Sequence, residues 1–184
     1  HEYDCHFLIA DYQVSDFADD IPRVRDAVWE VALDFLAVGL DPENASYVIE
    51  SQVPEHAELT TLLGWFLPVS MLERNPTLKA EMESMENPED GSQEKKSVPV
   101  AFYTYPVMQV ANILMPRAHL VPVGEDQLPH IELTRETARR FNRRFKEVFP
   151  EPEALVGRVS RLVGIDVQAK MSKSRNNGVY LKDY

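Results

Sequence analysis

Short apolar runs that end in polar residues alternate along most of this chain with longer segments whose apolar side chains recur at helical spacing, and this alternation constrains the fold most. "CHFLIADY" (5–12) reads as a buried strand. "DDIPRVRDAVWEVALDFLAVGL" (19–40) then places Ile21, Val24, Val28, Val31 and Phe35 on one helical face, with Asp20 as a cap, Pro22 in the first turn and Gly39 near the exit. "ASYVIESQV" (45–53) predicts a second strand, and residues 54–75 a second helix, bent or broken near Pro68. "TYPVMQVANILM" (104–115) reads as a mostly apolar helix and "HLVPVG" (119–124) as a short strand. Residues 126–149 form a long helix with Leu128, Ile131, Ala138, Phe141 and Phe145 turned inward. Strands alternating with helices favour parallel pairing, so the expected class is α/β: a Rossmann-like parallel sheet with flanking helices, as one domain. Ligands in such sheets sit beyond the carboxyl ends of strands, which directs attention to the residues just after each strand.

Residues 84–97, "SMENPEDGSQEKKS", are polar, contain Pro and Gly and lack an apolar period, which predicts a mobile insertion. A lone Cys5 excludes a disulfide framework and a Cys-based metal site, and fits a reducing compartment; no metal-ligand set is expected. The apolar runs fall short of the roughly 18 residues of a membrane span, and the first residues lack the pattern of a secretory leader, so a soluble, cytoplasmic chain is expected. The net charge of −11 argues against broad attraction to nucleic acid, yet the charge is segregated. Residues 135–148 hold five arginines and a lysine against two glutamates, either a solvated helix face or a surface for a phosphate backbone.

Two stretches carry chemistry. In "VPVGEDQ" (121–127) a glycine at a strand exit lets the backbone approach a nucleotide, and Asp126 is either an acceptor for a ribose diol or a helix N-cap. In "QAKMSKSRNN" (168–177) lysines alternate with small hydroxyl residues, a composition suited to a polyanion whose charge changes during reaction. The alternative is an ordinary basic surface loop.

"KMSKS" resembles the signature loop of class I aminoacyl-tRNA synthetases. A given pentapeptide arises by chance in a chain this long with a probability on the order of 10⁻⁴ if residues were equally frequent. "TYPVMQVANILMPRAHLVPVGEDQLPHIELTRETARRFN" resembles the corresponding region of the bacterial-type tryptophanyl-tRNA synthetase family, and "FLIADYQ" and "YVIESQVPEHAELTTLLGW" extend the similarity. The resemblance implies ATP- and Mg²⁺-dependent activation of tryptophan, its ligation to tRNA(Trp), and a homodimer. It implies that Lys170 and Lys173 bind the leaving pyrophosphate, with Met171 and Ser172 closing near the nucleotide. Gly124 and Asp126 would meet the ribose, and Gln127 the amino acid near its ammonium. Tyr105, Gln109, Asn112, Ile113, Val121 and Val123 match positions lining the side-chain pocket. Ile113, Val121 and Val123 read equally well as core, whereas Tyr105, Gln109 and Asn112 put polar groups along one helical face. His130 matches a family position or is a helix-surface residue, and stands outside the catalytic set.

Two departures stand out. The family usually has Asp, accepting the indole N–H, where this chain has Asn112; the amide oxygen still accepts but lacks charge, and its NH₂ needs a partner. Either recognition is weakened by roughly 1–2 kcal/mol, recovered on Asn112→Asp, or the chain is a divergent paralogue or carries a substitution at this position. The family's histidine-glycine-histidine element and first strand would precede residue 1, and its anticodon-binding region would follow the lysine loop. The resemblance therefore implies an incomplete catalytic domain, inactive in adenylation on its own. Alternative readings are a noncatalytic paralogue or fragment binding tryptophan, a nucleotide or another protein, and a tyrosyl-tRNA synthetase.

Overall fold

Strand β1 (Cys5–Ile9) pairs in parallel with β2 (Ala45–Ile49), from Cys5 opposite Ala45 to Ile9 opposite Ile49, and a parallel pair demands a crossover. Helix α1 (Ile21–Ala37) supplies it. The computed structural model describes residues 3–13, 19–86, 98–157, 163–166, 171, 177–179 and 181. The ends of α1 follow from local chemistry. Asp20 accepts the Arg23 N–H at 3.2 Å and Pro22 occupies the first turn. At the exit Gly39 adopts φ +86°. The N–H groups of Gly39 and Leu40 return to the carbonyls of Leu36 and Phe35, both at 3.0 Å, a Schellman closure that needs a residue tolerant of positive φ. Phe35 seats the helix on the sheet, its ring 5.8 Å from Phe7 and 6.0 Å from Tyr47.

β1 is less buried than its apolar run predicts. Only Ile9 is enclosed, and the strand stops there because the chain turns, with the Asp11 N–H bonded to the Ile9 carbonyl. No residue of α1 is fully buried.

The second parallel pair is β3 (Leu120–Val123) with β4 (Glu153–Val156), joined through α6 (Leu128–Arg144). β4 was not anticipated: "EALV" is short, and its acidic and proline-rich surroundings hide a strand. The expected parallel pairing holds, but among the described residues the strands form two pairs rather than one ladder.

The main core lies between helices. Leu63 of α2 (Glu55–Gly64) and Met71 and Leu72 of α3 (Val69–Glu73) meet Leu78 of α4 (Pro76–Glu86). Phe102, Val107, Val110, Ala111 and Leu114 of α5 (Val100–Leu114) and Leu133 and Ala138 of α6 complete the cluster. The break near Pro68 is where the sequence places it, since Pro68 is extended and α3 starts at the next residue. Helix α4 lay outside the sequence reading; it absorbs residues 84–86 of the expected insertion, and residues 87–97 lie outside the described residues. α5 begins at Val100 rather than Thr104. On α6, Ile131 and Ala138 are buried, but Leu128 and Phe145 are exposed at 39% and 55%. Leu128 is the first residue of the helix and Phe145 lies just past its end, where it stacks on Phe66 and Phe141 instead of entering the core. Among the described residues no helix is long and apolar enough to cross a membrane.

Leu114→Ala should cost about 2–5 kcal/mol in urea denaturation, because Leu114 is fully enclosed in the helical core. Leu33→Ala, on the exposed side of α1, should change stability by no more than about 0.5 kcal/mol.

Candidate functional site

Helix α5 is apolar on the sides that face α2 and α6, and its remaining face carries Tyr105, Gln109 and Asn112 one helical turn apart. Polar groups leaving water need partners, and each of these finds one on a different element. The Asn112 amide nitrogen donates to Glu50 Oε1 at 2.7 Å. The Gln109 amide nitrogen donates to Gln127 Oε1 at 3.2 Å. The Tyr105 hydroxyl donates to Glu81 Oε2 at 2.6 Å and lies 3.2 Å from His130 Nε2. One helical face thus gathers the exit of β2, helix α4, the turn Glu125–Gln127 after β3, and the start of α6.

The Asn112 end is the most enclosed. Glu50, the first residue past β2, is fully buried, and its other oxygen accepts the Tyr12 N–H at 3.0 Å from the exit of β1. Beside it, Asp11 accepts the Ser51 N–H and hydroxyl at 2.8 and 2.5 Å, so the two strand exits are tied by side chains as well as by pairing. The Asn112 carbonyl oxygen is buried with no hydrogen-bond partner among the described residues. The expectation for Asn112→Asp needs correction. With Glu50 at 2.7 Å, an aspartate at 112 would set two carboxylates in contact, so the single change should weaken the site.

His130 is no helix-surface residue: it is 1% exposed. Asn75 Oδ1 accepts the N–H groups of Thr77 and Leu78 at 3.0 and 3.2 Å. Its amide nitrogen is then left to donate to His130 Nδ1 at 3.3 Å. Nδ1 being the acceptor, Nε2 carries the proton and donates to Tyr105, whose own proton goes to Glu81. Burial lowers the imidazole's pKa, partly opposed by Asp126. Burial, followed by the bond to Glu81 and its charge, raises that of the Tyr105 phenol. The network holds α4, α5 and α6 in register.

Past β3, Gly124 is extended at φ −77° and opens the turn Glu125–Gln127. Asp126 is not the N-cap of α6; Gln127 holds that position without a side-chain cap bond, and the Asp126 carbonyl accepts the Thr77 hydroxyl at 2.9 Å. The Asp126 carboxylate is exposed and accepts the Gln127 amide at 3.3 Å. Val121 and Val123 share the half-buried face of β3, and Ile113 is 8% exposed, outside the main cluster. Lys170, Ser172 and Lys173 lie outside the described residues, while Met171 is half-buried. Described residues on either side of them are joined: the Ile165 N–H donates to the Asn177 carbonyl at 3.0 Å, and the Asn177 amide donates to Asp166 at 2.9 Å. Asn177 packs against Gly164 so closely that a Cβ there would meet its amide nitrogen at 2.2 Å.

Three of the six basic residues in the run are paired with acids. Arg135 and Arg139 pair with Glu132 and Glu151, and Arg140 with Glu136. Arg144 lies over the Phe66 ring at 5.5 Å. Among the described residues no three His, Cys, Asp or Glu side chains converge to hold a metal. Sequence reasoning passed over Glu50, although it sits where strand-exit logic points.

The whole chain, residues 1–184, matches the model of the family described as tRNA synthetases class I (W and Y). It is 43% identical over 184 residues to the tryptophan–tRNA ligase of Chlamydia caviae, covering 98% of this chain and 52% of that protein. To that of Thermotoga maritima it is 45% identical over 180 residues, covering 97% and 52%. It thus spans about half the length of the curated relatives it matches. The solved tryptophanyl-tRNA synthetase of Campylobacter jejuni complexed with ADP and tryptophan shares the fold at a TM-score of 0.79 and 33% identity, covering 92% of this chain and 50% of that one. A tyrosyl-tRNA synthetase of Archaeoglobus fulgidus shares the fold alone, at a TM-score of 0.72 and 22% identity.

The lowered His130 pKa sets a pH dependence. As pH falls below about 6.5 the unfolded chain takes up this proton before the folded one, so the stability contribution is complete above about 6.5 and is lost as pH falls towards the depressed folded value. Thermal unfolding followed by circular dichroism should show a drop between pH 7.5 and 5.5 that is shallower in His130→Gln. Equal slopes would mean the buried imidazole contributes nothing.

Proposed function

The chain belongs to the class I tRNA synthetases for tryptophan and tyrosine, and on that footing we propose that it forms part of the catalytic unit of a tryptophan–tRNA ligase. The supporting observation is 43% and 45% identity to tryptophan–tRNA ligases across nearly its whole length. In the first step the tryptophan carboxylate attacks the α-phosphate of ATP in line, the bond to the β-phosphate breaks, and pyrophosphate leaves. The aminoacyl group then passes to the terminal adenosine of tRNA(Trp). Charge gathers on phosphoryl and leaving-group oxygens, so positioning and electrostatics carry the catalysis.

Lys170 and Lys173 neutralise the leaving pyrophosphate, and Met171 and Ser172 close beside the nucleotide. Gly124 and Asp126 meet the ribose; the exposed Asp126 carboxylate suits a diol. Gln127, held by Gln109, faces the amino acid near its ammonium. Tyr105, Asn112, Ile113, Val121 and Val123 line the indole pocket. Magnesium, if carried by the nucleotide, would supply further charge neutralisation and would need few protein ligands. Two copies assemble in the cytoplasm as a homodimer. The noncatalytic reading drew on Asn112 and on the phosphate-binding histidine-glycine-histidine element expected before residue 1; the Glu50 contact bears on the first ground only, by giving the Asn112 amide nitrogen a partner.

ATP–pyrophosphate exchange on the full encoded polypeptide tests the reading. Exchange should depend on tryptophan and not tyrosine, and Lys170→Ala or Lys173→Ala should lower kcat by about 10²-fold or more with a smaller change in the tryptophan KM. Tryptophan binding without exchange would assign a noncatalytic role.

A further inference from the structure

Asn112 is ambiguous as a recognition group. Its amide presents a donor on one side and an acceptor on the other, and a half-turn about the last side-chain bond exchanges them. A site that reads a ring N–H needs the oxygen outward every time. The group that decides this is Glu50. A carboxylate oxygen accepts, so Oε1 at 2.7 Å draws the amide nitrogen and turns Oδ1 away. Glu50 is held in turn, being fully buried with Oε2 on the Tyr12 N–H at 3.0 Å. The outcome is an asparagine oxygen that is enclosed and, among the described residues, without a partner. Leaving a buried acceptor unmade is costly, and the cost is recovered when a donor arrives. Because this oxygen has no exposed surface, the donor reaches it only as neighbouring side chains part.

We infer that Glu50 is a positioning residue for amino-acid recognition: acting through Asn112, it fixes the amide so that Oδ1 accepts the N–H of the indole. The inference rests on the tryptophan reading above and deepens it. The negative charge of the pocket then sits at the strand exit, on Glu50, and the neutral member on the helix. Neither residue can be changed independently. A glutamine at 50 can offer either its oxygen or its nitrogen, so it releases the orientation of Asn112. An aspartate at 112 facing Glu50 brings two carboxylates together. Exchanging both, as Glu50→Gln with Asn112→Asp, rebuilds the pair with its charge on the helix, because the amide now at the strand exit can donate to one oxygen of the helix carboxylate while the other faces the indole.

The test is calorimetry on the full encoded polypeptide with tryptophan and with its analogue in which sulfur replaces the indole N–H. The unaltered protein should prefer tryptophan by about tenfold. E50Q should reduce that preference to about twofold, N112D should weaken tryptophan binding by about tenfold or more, and the E50Q/N112D double variant should restore the preference. A purely structural role for Glu50 would lower affinity for both ligands alike and leave the preference intact, which would overturn the inference. If E50Q alone fails to fold, by circular dichroism, the double variant decides: a folded double variant that prefers tryptophan supports the pairing, and one that does not overturns it. Equal binding of both ligands by the unaltered protein would overturn the reading of the N–H while leaving tryptophan binding intact, whereas binding of neither would remove the tryptophan reading itself.

Discussion

Helix α5 must satisfy two demands at once. Its apolar sides fill the core with α2 and α6, and its polar side, leaving water in the same step, has to be matched group by group. Because Tyr105, Gln109 and Asn112 are spaced by helical turns, their partners must arrive at three separate heights along the helix. This positions the exit of β2, the turn after β3, and helices α4 and α6 around a single axis. The site follows from packing that polar face.

The network is directional. Asn75 is oriented by the backbone N–H groups at the start of α4, which decides the tautomer of His130, which decides where the Tyr105 proton points. Glu50 is oriented by Tyr12 and decides which end of the Asn112 amide is left over. In both chains an unambiguous group, a backbone donor or a carboxylate, orients an ambiguous one. Rigid placement of this kind lets neutral side chains discriminate, since an amide that flips reads nothing.

Local signals made much of the fold legible. The cap at Asp20, Pro22 and Gly39 bound α1 because each acts on its own backbone, and Pro68 broke the helix where its ring forbids the preceding residue from continuing. Elements that depend on distant partners were less readable. β4 exists because Glu153–Val156 meets β3 across α6, and α4 because Leu78 reaches the core beside Leu133; neither segment carries a strong period of its own. The burial of His130 could not be read from helical position, since what encloses it comes from Asn75 and Tyr105, far away in sequence. Position 112 reads from sequence as a missing charge, but a carboxylate stands beside it on Glu50, sixty-two residues earlier, and only the fold brings the two together.

The most direct test of this account is a crystal structure of the full encoded polypeptide with tryptophan bound. The account predicts the indole nitrogen within about 3 Å of Asn112 Oδ1, with the Asn112 amide nitrogen still on Glu50. An indole N–H bonded to another group, or an Asn112 amide turned away from Glu50, would contradict it.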